Sequence, residues 1–343
     1  MHKLDDVEYI KKLDKSDMYS KIMSLPQQIQ QAYFKAVVHQ TPNTEFHDPN
    51  SVIICGMGGS AISADIAKVL YDKLIPISVV KDYDLPYLDE HTLVIVISYS
   101  GNTSESLSCM KQAMAKTKQI VAITSGGKIK DMVDGKYPWL EVPAGYPPRS
   151  AIGFLFFSLI KVLEINQIIP TESENVKRVI NAINKEKSTV EREINICGHN
   201  LKNLADGLLT KIPIIYSDNP KYAPIAYRWK CQINENAKYP AFHHTLPEML
   251  HNEIEGWEHL RYSKEFIPVF IYRFEEQSKG LTSFLDICYE QKIPFYEALF
   301  SDKNDLVNMM LLIFEGDIVS YYLAIMNDVD PTEIGYINYI KEK

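Results

Sequence analysis

The sequence is short of several things, and each shortage excludes a class of protein. Its five cysteines, Cys55, Cys109, Cys197, Cys231 and Cys288, are scattered, odd in number and never spaced as CxxC. That pattern gives no disulfide framework and no zinc signature, and it suits a reducing cytosol. Basic charge is outweighed: the net charge is −8 and the pI near 5.7, which argues against a nucleic-acid surface. No apolar run approaches the ~20 uninterrupted residues that a membrane helix needs. The opening MHKLDDVEYIKKLDK is too charged for a signal peptide. The expectation is a cytoplasmic chain with neither a membrane nor a nucleic-acid partner. Its 46% hydrophobic and 23% charged residues are the balance of a globular protein, and 343 residues suffice for two domains.

What is present is an alternation of strands and helices. Residues 1–48 read as a polar, helical N-terminal arm. The run 51–55 (SVIIC) predicts a buried strand, and Ile62, Ile66, Val69 and Leu70 follow at helical spacing. Strands are predicted at 77–80, 93–97 (LVIVI) and 120–124, with Leu107, Met110 and Met114 marking a helix among them. Strands apolar on both faces, alternating with helices, imply a doubly wound parallel sheet flanked by helices. Helical stretches are predicted near 151–165 and 172–209. The alternation then resumes: a strand at 212–216, a helical face of Tyr222, Ile225, Ala226 and Trp229, a strand at 267–272, and a helix over 306–323. Two α/β domains follow.

The chemistry concentrates in two turns. Gly56-Met57-Gly58-Gly59-Ser60 lies between a strand and a helix. Glycines let backbone approach a ligand, and a helix start offers unpaired N–H groups and a positive dipole end. Three readings stay open there: a phosphate turn, a G-x-G-x-x-A dinucleotide turn using Gly56, Gly58, Ala61 and Asp82, and a tight turn with no ligand. The second turn decides among them. Ser98-Tyr99-Ser100-Gly101-Asn102-Thr103 places three short hydroxyls at the carboxyl end of a buried strand, where α/β sheets bind ligands. Capping by Asn102 or Thr103, with Glu105 completing a box, accounts for one of these residues but not for all three hydroxyls. Gly58, Gly59, Ser60, Ser98, Ser100 and Thr103 are therefore the expected phosphate ligands.

The two turns resemble the SIS family, whose domains bind sugar phosphates. Three more segments narrow the likeness: Pro147-Pro148-Arg149-Ser150, Asn234-Glu235-Asn236-Ala237-Lys238, and Leu250-His251-Asn252-Glu253-Ile254-Glu255-Gly256-Trp257. With GMGGS and SYSGNT, in this order and at these separations, they resemble the bifunctional phosphoglucose/phosphomannose isomerases. The tail DPTEIGYINYIK, with Thr332 and Lys341, is similar more loosely. One departure is that Ala61, Ile62, Ser63 and Ala64 stand where the family usually has more glycine.

The resemblance implies two SIS-type domains, an N-terminal one at 1–165 with its helical arm and a C-terminal one at 166–343. It also implies an aldose–ketose isomerase using neither metal nor cofactor. By the same resemblance Glu235 is the proton-shuttling base, His251 acts in ring opening, Arg149 stabilises the enediolate oxygen, Lys341 faces the sugar, and Thr332 shapes room near C2. His251 reaches the site from the neighbouring subunit of a homodimer. The main competing reading is a non-catalytic SIS module that senses a sugar phosphate and needs neither Glu235 nor His251. A dinucleotide oxidoreductase does not need the SYSGNT turn. An aminotransferase of the same fold needs an attached ammonia-producing domain, for which 343 residues leave no room.

Overall fold

A computed structural model of the chain describes residues 2–41, 48–258, 265–341 and 343. They form two compact units, one of Ser24–Ile180 and one of Met1–Met23 with Asn181–Lys343.

The unit Ser24–Ile180 is built on six strands: β1 (Val37–His39), β2 (Ser51–Cys55), β3 (Ile77–Val80), β4 (Thr92–Ser98), β5 (Ile120–Thr124) and β6 (Trp139–Glu141). Their order is β1-β6-β5-β4-β2-β3. All pairs are parallel except β1–β6. Strand β4 is buried along its whole length, which is why it reads as an unbroken β-branched run. Alternate residues Ile53, Cys55, Val94, Val96, Ile120 and Ala122 pack with helices Ser104–Lys116 and Gly127–Val133. Helices Gly59–Tyr71 and Ile152–Ile165 pack with each other and against the strands. From β2 the chain turns outward to β3, then crosses to β4 on the other side. The topological switch point therefore lies between β2 and β4.

The second unit holds a four-stranded parallel sheet in the order β10-β9-β7-β8. Its strands are β7 (Ile212–Ser217), β8 (Phe242–Thr245), β9 (Phe266–Arg273) and β10 (Tyr296–Phe300). Helix Asp305–Met326 runs through its core against helices Ala223–Ala237 and Asn200–Leu208. Among the described residues it is the one helix long and apolar enough to cross a membrane, but 89% of its apolar window is buried by the unit's own side chains.

Three features differ from the expectations. The arm predicted over 1–48 is not wholly helical, since β1 lies within it, and residues 42–47 lie outside the described residues. Its first 23 residues join the second unit, whereas the expected division fell at 165/166. The reason lies in buried polar contacts: Lys202 Nζ donates to the carbonyls of Leu4 (2.6 Å), Arg192 (2.8 Å) and Ile194 (2.7 Å). The helix predicted over 172–209 is two helices, Ser173–Lys187 and Asn200–Leu208, parted by an irregular stretch that supplies two of those carbonyls.

Candidate active site

The parallel register of β2 and β4 sets the two turns side by side. Cys55 pairs with Val96, so the chain leaves β2 at Gly56 level with Ile97 and leaves β4 just beyond it. Gly58 is the N-cap of helix Gly59–Tyr71, and Thr103 is the N-cap of helix Ser104–Lys116. Neither helix start receives a side-chain hydrogen bond. The capping box considered for Asn102, Thr103 and Glu105 is thus not formed. Asn102 Oδ1 instead accepts from the Lys128 N–H (3.2 Å), and Ser98 Oγ donates to Thr103 Oγ1 (3.4 Å). At the first helix Ser60 N (3.0 Å) and Ala61 N (3.4 Å) donate to the Met57 carbonyl and Ile62 N (3.2 Å) to that of Gly58, so this end offers an anion its positive dipole more than free N–H groups. Two helix N-termini at one sheet edge are the kind of place where anions bind. Each contributes about 0.3–1 kcal/mol toward a negative charge when exposed and more when partly buried.

Ser60 and Ser98 are buried, Thr103 is half-buried and Ser100 is exposed, so the hydroxyls run from the sheet edge outward. Ser100 Oγ accepts from the Asn102 N–H (3.3 Å). Gly101 has φ +67°, and a Cβ there would collide with the Gly126 carbonyl oxygen, so this position demands glycine.

That collision reveals a third turn, Thr124-Ser125-Gly126-Gly127 after β5, which the sequence reading passed over. Ser125 donates to the Tyr99 carbonyl through both N (3.0 Å) and Oγ (2.6 Å), and Ile129 N donates to the Gly101 carbonyl (2.9 Å). Its signal was available: a buried strand ending in a hydroxyl and two glycines before a helix repeats the form of the first two turns.

Arg149 belongs to the same edge. It sits in the 3-10 turn Pro148–Ser150, only 3% exposed. A Cβ on Gly59 would stand 2.8 Å from the Pro148 carbonyl oxygen, so this second glycine is fixed by close backbone approach. Gly58, Gly59, Ser60, Ser98, Ser100, Thr103 and Arg149 are thus all in the unit Ser24–Ile180.

Glu235, His251, Thr332 and Lys341 belong to the other unit. Glu235 lies in the last turn of helix Ala223–Ala237 and is half-buried. Its flanking amides fasten that turn: Asn234 Nδ2 donates to the Tyr239 carbonyl (2.8 Å), and buried Asn236 Nδ2 donates to Ser320 Oγ (3.0 Å). One and two turns back, Gln232 (2.7 Å) and Arg228 (2.8 and 2.7 Å) bind the buried Asp317 carboxylate. His251 ends an exposed 3-10 turn, Glu248–His251, above buried Met249. Thr332 is half-buried, its N–H donating to Asp330 (2.7 Å). Lys341 is exposed at the end of helix Gly335–Lys341, none of whose residues is buried.

Comparison with known proteins places this arrangement. Residues 45–129 match the SIS domain, and residues 199–343 match the bacterial phospho-glucose isomerase C-terminal SIS domain. A bifunctional phosphoglucose/phosphomannose isomerase of Caldicellulosiruptor bescii is 36% identical over 343 residues, covering 95% of this chain and 98% of the relative. The chain belongs to the bifunctional phosphoglucose/phosphomannose isomerase family. The family's neighbourhood is chemically mixed: a D-glucosamine-6-phosphate 4-epimerase of Sulfolobus acidocaldarius is 33% identical, covering 84% of this chain and 87% of the relative. Among solved structures, a glucose-6-phosphate isomerase like protein of Thermus thermophilus aligns with a TM-score of 0.68 over all of this chain and 99% of its own. At 17% identity that likeness speaks to the family's fold alone.

Proposed function

We propose that this chain interconverts glucose 6-phosphate and mannose 6-phosphate with fructose 6-phosphate through a cis-enediol(ate). The observation that supports it most is the β2/β4 edge, where two uncapped helix starts and the hydroxyls of Ser60, Ser98, Ser100 and Thr103 form a holder for a phosphate. The phosphate is the handle that positions C1 and C2. Glu235 takes the proton from one carbon and returns it to the other, which one carboxylate in reach of both can do. Arg149 stabilises charge developing on the enediolate oxygen, and Lys341 faces the sugar. His251 transfers the ring-opening proton, since an imidazole carries one ring nitrogen that can donate and one that can accept. Thr332 leaves room for the C2–C3 bond to rotate, so that both faces of C2 are used. The route needs neither metal nor redox cofactor.

The active unit is a homodimer in which His251 serves the partner's site. Heterodimers of His251→Ala and Glu235→Gln protomers then recover part of the turnover that each homodimer lacks; verified heterodimers without recovery would refute sharing.

The decisive experiment is metal-free incubation with fructose 6-phosphate, with both aldose phosphates measured. Formation of both supports the proposal. Formation of one keeps the isomerase and removes the dual use. Binding without any turnover would point to a sugar-phosphate-sensing module instead. A second reading rests on the Sulfolobus acidocaldarius relative, a 4-epimerase similar over most of this chain. Incubation with glucosamine 6-phosphate tests it, the C4 epimer being the product that would displace the first reading.

A further inference from the structure

We propose that Tyr99 is a positioning residue that ties the phosphate-holding turn to Arg149. The inference rests on the role in turnover given to Arg149 above. Tyr99 stands between Ser98 and Ser100 but turns inward and is buried. Its hydroxyl donates to the Pro143 carbonyl (2.7 Å) and accepts from the Tyr146 N–H (2.9 Å). Both partners lie on the segment that leads from β6 into Pro147-Pro148-Arg149.

The phenol therefore has its one donor and an acceptor position engaged by the backbone that delivers Arg149. Burial raises its pKa, so the donor is retained at neutral pH. The residue's other end is held as well, because its carbonyl accepts both bonds from Ser125. Beyond the tie, the Arg149 turn is fastened by Gln28 Nε2, which donates to the Ser150 carbonyl (3.0 Å), and by the close approach of Pro148 to Gly59. Phosphate turn, tyrosine and arginine turn thus form one braced piece within a single unit. A phenylalanine would fill the same buried volume, so the hydroxyl alone spans the gap. Small displacements of a charge-stabilising group reduce turnover steeply, while a phosphate held by the hydroxyls and helix starts is not released by them.

The test is a cycle of Tyr99→Phe, Arg149→Gln and the double variant, reading kcat and KM for fructose 6-phosphate alongside Tm. Tyr99→Phe is expected to lower kcat about tenfold or more with KM changed by no more than about twofold. In the Arg149→Gln background it should add almost nothing, because the group it positions is gone. Independent, multiplying losses would overturn the tie while leaving Arg149 its role. So would an unchanged kcat in Tyr99→Phe, with or without a lower Tm, or a rise in KM alone. Undiminished turnover in Arg149→Gln would overturn both the role of Arg149 and the tie.

Discussion

At the β2/β4 edge the chain turns through residues 56–60 and 98–103 and enters two helices that no side chain caps. At the β7/β9 edge, the switch point of the second sheet, the same topology meets different residues. There Asp218 accepts from Ser278 N (2.9 Å) and from Ser278 Oγ, and Ser278 Oγ also caps helix Lys279–Gln291. Helix Ala223–Ala237, which follows β7, starts at Tyr222 without a side-chain cap, but Lys221 (2.5 Å), the Tyr222 hydroxyl (2.7 Å) and Arg273 of β9 (3.4 Å) all bind the carboxylate of Asp305, which comes from beyond β10. Donors that an external phosphate would need are satisfied internally, by carboxylates the chain supplies itself. A sheet with a switch point between parallel strands thus occurs twice, and the proposed anion site lies where glycine and serine replace aspartate. The fold offers the place, and the residues decide its use.

Four of the following substitutions, and one change of pH, probe this difference. The largest effect is expected from the unit without the phosphate turns. Glu235→Gln keeps the shape of the side chain and removes the base, so turnover should fall by about 10²–10⁴-fold while fructose 6-phosphate still binds. Near-normal turnover would leave the second unit without its proposed chemistry.

Acid should separate the units next. His199 is fully buried, and its Nδ1 accepts the Lys202 N–H (3.2 Å), so protonation must break a helix cap. Burial, then the charge of Lys202, push its pKa down to about 4. Because the folded pKa lies below the unfolded value near 6.5, the folded state binds fewer protons in that window. Stability is therefore full above about pH 6.5 and lost as the pH falls toward 4, by roughly 3 kcal/mol. Denaturation curves across that range should show it, and His199→Asn, which keeps a capping side chain, should flatten the pH dependence. An unchanged slope in the variant would sink the assignment.

How much of this was legible follows from the range of each interaction. The two turns were readable because a glycine or hydroxyl at the end of a buried strand has few other uses, and the central strands because β4 is apolar throughout. The role of Tyr99 was not, since its hydroxyl bonds a carbonyl 44 positions away and a tyrosine between two serines names no partner. The placement of residues 1–23 depends on Lys202 reaching a carbonyl 198 positions back. Strands β1 and β6, three residues each, are too short to show a period. For Glu235 the sequence supplied the residue and its flanking amides but not their function, because Asn236 meets Ser320 only after two distant helices pack.

A smaller effect should follow from removing one hydroxyl of the first edge. A hydrogen bond to a charged group is worth about 1.5–3 kcal/mol, so Ser98→Ala should raise KM for fructose 6-phosphate by roughly tenfold or more with kcat little changed. Asp218→Ser, the corresponding exchange at the second edge, should leave KM as it was. Equal effects from both would mean that the second edge also holds substrate.

The smallest effect belongs to the internal anion. Burial alone would raise the Asp305 carboxyl, but hydrogen bonds from Lys221 and Tyr222, with the charges of Lys221 and Arg273, hold it below the ordinary carboxylate range. Lys221 is 40% exposed and Asp305 27%, so water screens the pair. Exposed ion pairs are worth about 0.2–1 kcal/mol, and Asp305→Asn, which retains an acceptor for Tyr222, should cost about 1 kcal/mol of stability or less with unchanged turnover. The substitution also leaves Lys221 and Arg273 facing a neutral group, so phosphate added to the variant should stabilise it more than it stabilises the parent. A thermal shift in phosphate that is the same for both chains would mean that the carboxylate does not stand in for a bound anion, and that the second edge is closed by shape rather than by charge.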